Sequence, residues 1–359
     1  MKALCSGRKS SVLLCGYYGE HNLGDDALLQ VLVSQIPSHW DLVVTARDPE
    51  AVRSLVPGAK TVSRRSLSQT IQALDRVDAL ILGGGSLLQD GTSFKSLVYY
   101  LVLLWTARVR GTPILLWGQG LGPLHRRLSR VLVKHTLGGI KAVSWRDPRS
   151  MEQAQRWKLR IPMVMGPDPV WCHPSPAWSG GNRLILCWRP TALLDGRGWG
   201  VLLDAVDRFS SSIGSEVIWL AFHADQDAAL WGDLQSRDLI PDRLGQRSIQ
   251  MQAESLDQVQ LLFSDAALVI AMRLHALILA AAGDCPTAAL SYDPKVKAAA
   301  QLASLSWTDL DNQLNCDQLI RQWQSTMQNP RERSQMDELK RSAHCHQRML
   351  VEELNKLSD

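Results

Sequence analysis

The sequence is short of the features that mark most specialised proteins. It has no Cys-x-x-Cys pair, and its seven cysteines, at 5, 15, 172, 187, 285, 316 and 345, are an odd number. A secreted disulfide framework is therefore not expected. Cys15 and Cys187 sit inside apolar runs, where a free thiol behaves as a small hydrophobe. No run of like charge exceeds a short cluster such as Arg126-Arg127, and 39 Lys+Arg against 35 Asp+Glu leave a net charge of +4. That balance gives no nucleic-acid footprint and is too small to argue for a membrane surface. The most apolar window, residues 97–105, is bounded by Lys95 and Arg108, well short of the ~20 residues needed to span a bilayer. Residues 1–11 hold no apolar stretch long enough for a signal peptide. These absences lead to the expectation of a soluble cytoplasmic protein.

Several catalytic signatures are missing too. There is no G-x-S-x-G elbow, no H-E-x-x-H, no G-x-G-x-x-G and no Walker A loop. His344-Cys345-His346 contains ligand types, but adjacent residues of a helix point in different directions and cannot converge on one ion. The triplet reads as surface, and no metal or cofactor is expected. Phe and Tyr number only 4 and 5, so the aromatic content rests on 13 scattered tryptophans, read as core and interdomain packing.

The 45% hydrophobic content excludes intrinsic disorder, and 359 residues suit two domains. Short apolar runs at 12–15, 42–45, 79–82, 114–117 and 142–144 alternate with helix-period segments at 25–36, 93–110 and 126–137. The alternation restarts at 184–188, 217–221, 267–270 and 287–290. Continuous apolar strands separated by helices signify parallel sheets covered on both faces. The expected division is an N-terminal α/β domain at 1–165, a linker at 166–182 rich in Pro and Gly, a C-terminal α/β domain at 183–311 and a helical tail at 312–359.

Polar motifs gather where strands end. After the first strand comes Gly16-Tyr17-Tyr18-Gly19-Glu20-His21-Asn22-Leu23-Gly24-Asp25-Asp26. Such a turn suits close approach of a ligand to backbone N–H groups, or simply a sharp turn with Asp25 or Asp26 capping a helix. Gly83-Gly84-Gly85 leaves room for something bulky beside the backbone, and Gly118-Gln119-Gly120-Leu121-Gly122-Pro123 follows the next strand. Three such loops on one sheet edge mark where open α/β sheets bind ligands. Arg146 offers a planar fork for carboxylate or phosphate, or a local ion pair. Arg273 and His275 stand between an apolar strand and an apolar helix, where they are costly unless paired or used. Lys295, twenty residues beyond His275, falls on the same edge of a parallel sheet or is an ordinary solvated lysine.

Taken in order, these segments resemble the polysaccharide pyruvyl transferase family, in particular its CsaB-like bacterial cell-surface branch. The match runs from Gly16 through Arg146-Asp147, Asp168-Pro169 and Arg273-Leu274-His275-Ala276 to Tyr292-Asp293-Pro294-Lys295-Val296. Asp26 stands where Glu is expected, and Trp145 where a smaller apolar residue is usual. The resemblance implies two Rossmann-like domains in a GT-B arrangement with an interdomain cleft. It also implies transfer of a pyruvyl group from phosphoenolpyruvate onto two sugar hydroxyls as a cyclic ketal, without a metal.

That chemistry suits the residues. A donor carrying a carboxylate and a phosphate needs cations of fixed geometry, and proton delivery to the enol methylene suits a histidine. The expected catalytic set is His275, Arg146 and Lys295, with Arg146, Arg273, Leu274, His275 and Lys295 binding phosphoenolpyruvate. Gly16, Asn22, Asp25, Asp26, Gly84, Gly85 and Gln119 would face the sugar acceptor, whose lipid linkage the sequence leaves open. The alternatives are a GT-B nucleotide-sugar glycosyltransferase and a silent scaffold in polymer export.

Overall fold

The computed structural model describes residues 9–329 and 333–358; Cys5, and the leader-free reading of the first eight residues, lie outside them. The chain forms two α/β units. The first takes the described residues up to Glu20, Asp25–Cys172, and the chain from Lys340 on; the second takes His21–Gly24 and His173–Leu339.

In the first unit strands and helices alternate: β1 (Ser11–Cys15), α1 (Leu23–Gln35), β2 (Asp41–Ala46), α2 (Pro49–Leu55), β3 (Lys60–Ser63), α3 (Leu67–Leu74) and β4 (Ala79–Leu82). There follow β5 (Gly85–Leu88), α4 (Phe94–Val109), β6 (Ile114–Leu121), α5 (Arg127–Leu137), β7 (Ala142–Trp145), α6 (Pro148–Arg156) and β8 (Met163–Met165). The strands run parallel in the order β3-β2-β1-β4-β6-β7-β8, with β5 added beside the end of β6. Every residue of β1 and β4 is buried, as expected of strands covered on both faces.

The second unit contains β9 (Arg183–Cys187), α7 (Gly196–Ile213), β10 (Val217–Ala221), α8 (Ala224–Asp227), α9 (Leu230–Ser236), α10 (Asp242–Gln246) and β11 (Ser248–Gln252). It continues with α11 (Leu256–Ser264), β12 (Ala266–Ala271), α12 (Leu274–Ala282), β13 (Thr287–Ser291), α13 (Pro294–Leu302), β14 (Ser306–Asp309) and α14 (Cys316–Gln328). Its sheet is parallel too, in the order β11-β10-β9-β12-β13-β14. In each sheet the strand order reverses beside the first strand, between β1 and β4 and between β9 and β12. Open α/β sheets bind ligands outside such switch points.

Two segments are packed more closely than their composition suggests. Residues 166–182 are not an extended linker throughout: a 3₁₀ turn at Pro169–Cys172 is packed, with Val170 and Trp171 buried. The tail is helical. After α14 come α15 (Arg333–Ala343) and α16 (Cys345–Ser358), and α16 lies against β6, β7 and β8 of the first unit. His346 is accordingly wholly buried, not on the surface. Its Nε2 lies 2.7 Å from the Pro167 carbonyl, and burial pushes its pKa down to about 4. The helix face that carries His346 covers strands, which spacing alone could not reveal.

Candidate active site

Charged side chains gather at the switch point of the second unit. β12 ends at Ala271, and the N–H groups of Met272 and Arg273 both donate to the Cys187 carbonyl at the end of β9, at 3.0 and 3.3 Å. This places Arg273 at the N-cap position of α12, although its side chain does not cap the helix. Its guanidinium instead grips Asp227 at the end of α8. Nε lies 3.0 Å from Oδ2, Nη2 donates to Oδ1, and Nη2 also reaches Gln226 Oε1 at 3.0 Å. The Asp227 side chain is 1% exposed and that of Arg273 13%, so the fork is locked in a desolvated pair.

Asp227 Oδ2 also accepts the backbone N–H of His223 at 2.8 Å. The His223 side chain is buried, and neither ring nitrogen has a hydrogen-bond partner. Burial, then the charge of Arg273, lowers its pKa, which keeps the imidazole neutral at neutral pH.

His275 lies in the first turn of α12, half-buried. The segment His21–Gly24 of the first glycine motif lies against it, as part of the same unit. Asn22 forms an antiparallel bridge with His223. Leu23 N–H donates to the Phe222 carbonyl at 3.2 Å, and Ala224 N–H to the His21 carbonyl at 3.1 Å. Gly24 faces the imidazole: a Cβ there would stand 2.1 Å from His275 Nδ1.

Two further cations complete this edge. Arg189, just beyond β9, stacks its guanidinium 4.9 Å from the Tyr292 ring centroid and donates to the Tyr292 hydroxyl at 3.3 Å. Lys295 opens α13, where Asp293 accepts its backbone N–H at 2.9 Å and Pro294 holds the first helical position. Leu274 begins α12, also half-buried. The carboxyl edge of β9, β12 and β13 therefore presents Arg189, Arg273, His275 and Lys295. Beside it, a cavity of about 240 Å³ reaches from Asp227 to Trp188, Trp219 and Trp231, whose rings meet edge to face at 5.4 and 5.0 Å. Asp227, His223 and Arg189 were missed in the sequence. Asp227 lies 46 residues from Arg273, and only the parallel strand order brings the two together.

In the first unit the glycine motifs hold the protein's own side chains. The Tyr18 ring fills the space beside Gly16 and Gly83, where an added Cβ would stand 2.3 Å from Cζ and 1.8 Å from the hydroxyl, respectively. Gly84 is packed under Leu28 and Trp117. Gln119 is fully buried and donates from Nε2 to the Gly83 carbonyl and, at 3.4 Å, to that of Leu82. At Gly16, Gly84 and Gln119 the space around the loops is thus filled by the chain's own side chains. Glu20, buried, takes Arg47 at 2.8 Å and also Arg64, tying down the same turn.

Asp25 and Asp26 remain at the start of α1, half-buried, with Gly85 beside Asp25. Burial, then the Asp25 charge, raises the Asp26 carboxyl to about 7. Arg146 is held by Asp168 at 2.7 Å and by Ser86 Oγ at 3.2 Å, both charged side chains being buried. Asp147 does not join that pair; it caps α6 through Ser150 N–H at 2.9 Å. Arg146 thus belongs to the first unit, whereas Arg273, Leu274, His275 and Lys295 belong to the second. Among the described residues, no group of three His, Cys, Asp or Glu side chains is arranged to hold a metal.

A family model of polysaccharide pyruvyl transferases matches residues 22–294. The chain belongs to that family. No curated protein matches the sequence. Among solved structures, a putative UDP-N-acetylglucosamine 2-epimerase from Listeria monocytogenes superposes with TM-score 0.64 at 11% identity, covering 96% of this chain and 95% of that one. Anabaena HepE, solved with UDP and glucose, gives TM-score 0.62 at 11% identity over 97% and 100%. The UDP-N-acetylglucosamine 2-epimerase of Methanocaldococcus jannaschii gives 0.63 at 12% over 96% and 99%. At such identities the likeness is one of fold: this pyruvyl transferase family member has the two Rossmann-like units of the GT-B class. No described helix is long and apolar enough to cross a membrane.

Proposed function

We propose that the enzyme moves a pyruvyl group from phosphoenolpyruvate onto two hydroxyls of a sugar in a cell-surface polysaccharide or its precursor, as a cyclic ketal, releasing phosphate. The observation that carries this reading is the cationic edge of the second unit, where Arg189, Arg273 and Lys295 follow the ends of β9, β12 and β13 together with His275. A donor with a carboxylate and a phosphate needs fixed cations, and Asp227 holds the Arg273 fork in place for it.

In the proposed sequence, His275 as imidazolium gives its proton to the methylene carbon of the enol. The electron-poor centre at C2 is then attacked by one sugar hydroxyl, which loses its own proton. The second hydroxyl displaces phosphate from C2, passes its proton to the now neutral His275 and closes the ketal. The cations stabilise charge on the departing phosphate. Asp26, with its carboxyl near 7, suits proton uptake from an acceptor hydroxyl, and we assign the acceptor side to Asn22, Asp25, Asp26 and Gly85. Arg146, neutralised by Asp168, is assigned to the donor with its position set by that pair. No bound cofactor enters this scheme.

A nucleotide-sugar transferase is the competing reading, favoured by the UDP that accompanies structurally similar proteins. Thermal unfolding separates the two. A ligand at 100 times its Kd adds about 2.7 kcal/mol, so phosphoenolpyruvate should raise the Tm clearly, and Arg273→Ala should remove the shift. A shift only with uridine or cytidine diphosphate sugars would transfer the assignment to a glycosyltransferase.

A further inference from the structure

We propose that the outer face of α4 and α5 docks on a lipid bilayer with anionic headgroups. The first observation is compositional. From Gly91 to Arg146 the chain contains no Asp or Glu and nine Lys or Arg. Against a net +4 for the whole chain, that stretch carries +9, so the other 303 residues carry −5. The modest total charge conceals a strongly basic region.

The second observation is geometric. Of eleven large apolar side chains exposed among the described residues, six lie on these two helices. Val98, Val102, Trp105 and Val109 recur at spacings of four, three and four along α4, one stripe of one helix. Val109 is 86% exposed and Trp105 44%. Trp105 donates from its indole to Thr136 Oγ1 at 2.6 Å and stacks 5.3 Å from the His135 ring, which sets α5 beside α4. Leu132 of α5 lines the same groove, of about 490 Å³, with Leu128 one turn before it.

Cations flank the apolar stripe. Arg108 and Arg110 close the end of α4, and Arg126, Arg127, Arg130 and Lys134 run along α5, all exposed. Trp and Val on one side with Lys and Arg on the other is the pattern of a helix pair lying in a membrane interface. There the apolar side chains enter the acyl boundary and the cations reach anionic headgroups. A second copy of the chain is a poorer occupant, because it would bring this basic face against its equal. The inference stands apart from the transfer chemistry, since the surface involves none of the residues assigned to it.

The test is co-sedimentation of the full chain with vesicles of phosphatidylcholine alone or mixed with phosphatidylglycerol. Binding should require the anionic lipid and weaken as salt rises. Val102→Ser/Val109→Ser/Val131→Ser and, separately, Arg127→Gln/Arg130→Gln/Lys134→Gln should each reduce partitioning at least tenfold, with the Tm unchanged. Absence of binding to phosphatidylglycerol vesicles at low salt would overturn the proposal, as would equal binding to both vesicle types. Unchanged partitioning in either triple variant would do so too. A dimer in solution that the serine variant dissociates would assign the face to self-association instead.

Discussion

Gly24 and His275 are packed so closely that no side chain fits between them: a Cβ on Gly24 would stand 2.1 Å from the imidazole Nδ1. Residue 24 therefore fixes the ring of a residue 251 positions later. Gly24→Ala should displace that ring and lower kcat about 100-fold, as expected for a misplacement near 1 Å. Alanine is otherwise the better residue in α1, by roughly 1 kcal/mol. A more stable variant with unchanged turnover would show that the glycine serves only the turn. His275→Ala should abolish transfer yet retain the thermal response to phosphoenolpyruvate, and near-normal turnover would remove His275 from the mechanism.

Arg273→Lys keeps the charge but loses the fork that spans Asp227. The donor KM should rise at least tenfold, and an unchanged KM would make Arg273 structural. Asp227→Asn leaves the arginine buried without its counter-charge, which should cost about 3 kcal/mol in urea unfolding.

His346 governs stability on the acid side. Its folded pKa is near 4 against about 6.5 in the unfolded chain, so the unfolded state gains a proton first. Stability is fully present above pH 6.5 and falls as the pH drops toward 4, by about 3 kcal/mol in total. His346→Gln keeps a donor for the Pro167 carbonyl and should flatten that slope by close to one proton. An unaltered slope would place the titration elsewhere.

Asp26 acts in the opposite sense. Its folded pKa is about 7 against about 4 unfolded, so stability is fully present below pH 4 and lost as the pH rises through 7. Asp26→Asn should raise stability at pH 8 while lowering transfer. Because the two groups offset each other between pH 4 and 6.5, the wild-type curve should be flatter there than that of either variant. A parallel curve for Asp26→Asn would show that the carboxyl is ordinarily ionised.

The parallel sheets were legible because their central strands are continuous apolar runs; residues 79–82 and 217–221 match β4 and β10 without adjustment. The strands that escaped notice include β3, β8, β11 and β14, the edges of the two sheets. The half-exposed β3, β11 and β14 carry polar side chains, and β8 is only three residues long, so none of them gives such a run. The site divides the same way. Arg273, His275 and Lys295 stood out as charges set against apolar strands and helices. Asp227, His223 and Arg189 acquire meaning only through neighbours on other strands. The triple glycine does leave room for a bulky group, and beside Gly16 and Gly83 that group is Tyr18 of the chain itself.

The threading of the chain through its two units sets a timetable for synthesis. β6, β7 and β8 are complete by Met165, yet the helix that covers them, α16, ends at Ser358. On the ribosome, nearly two hundred further residues must emerge before that apolar surface closes. A chain released near residue 330 would hold a finished second sheet while β6, β7 and β8 still lacked α16. A fragment ending at Cys172 should likewise stay insoluble alone and recover when the segment from Lys340 onward is supplied in trans.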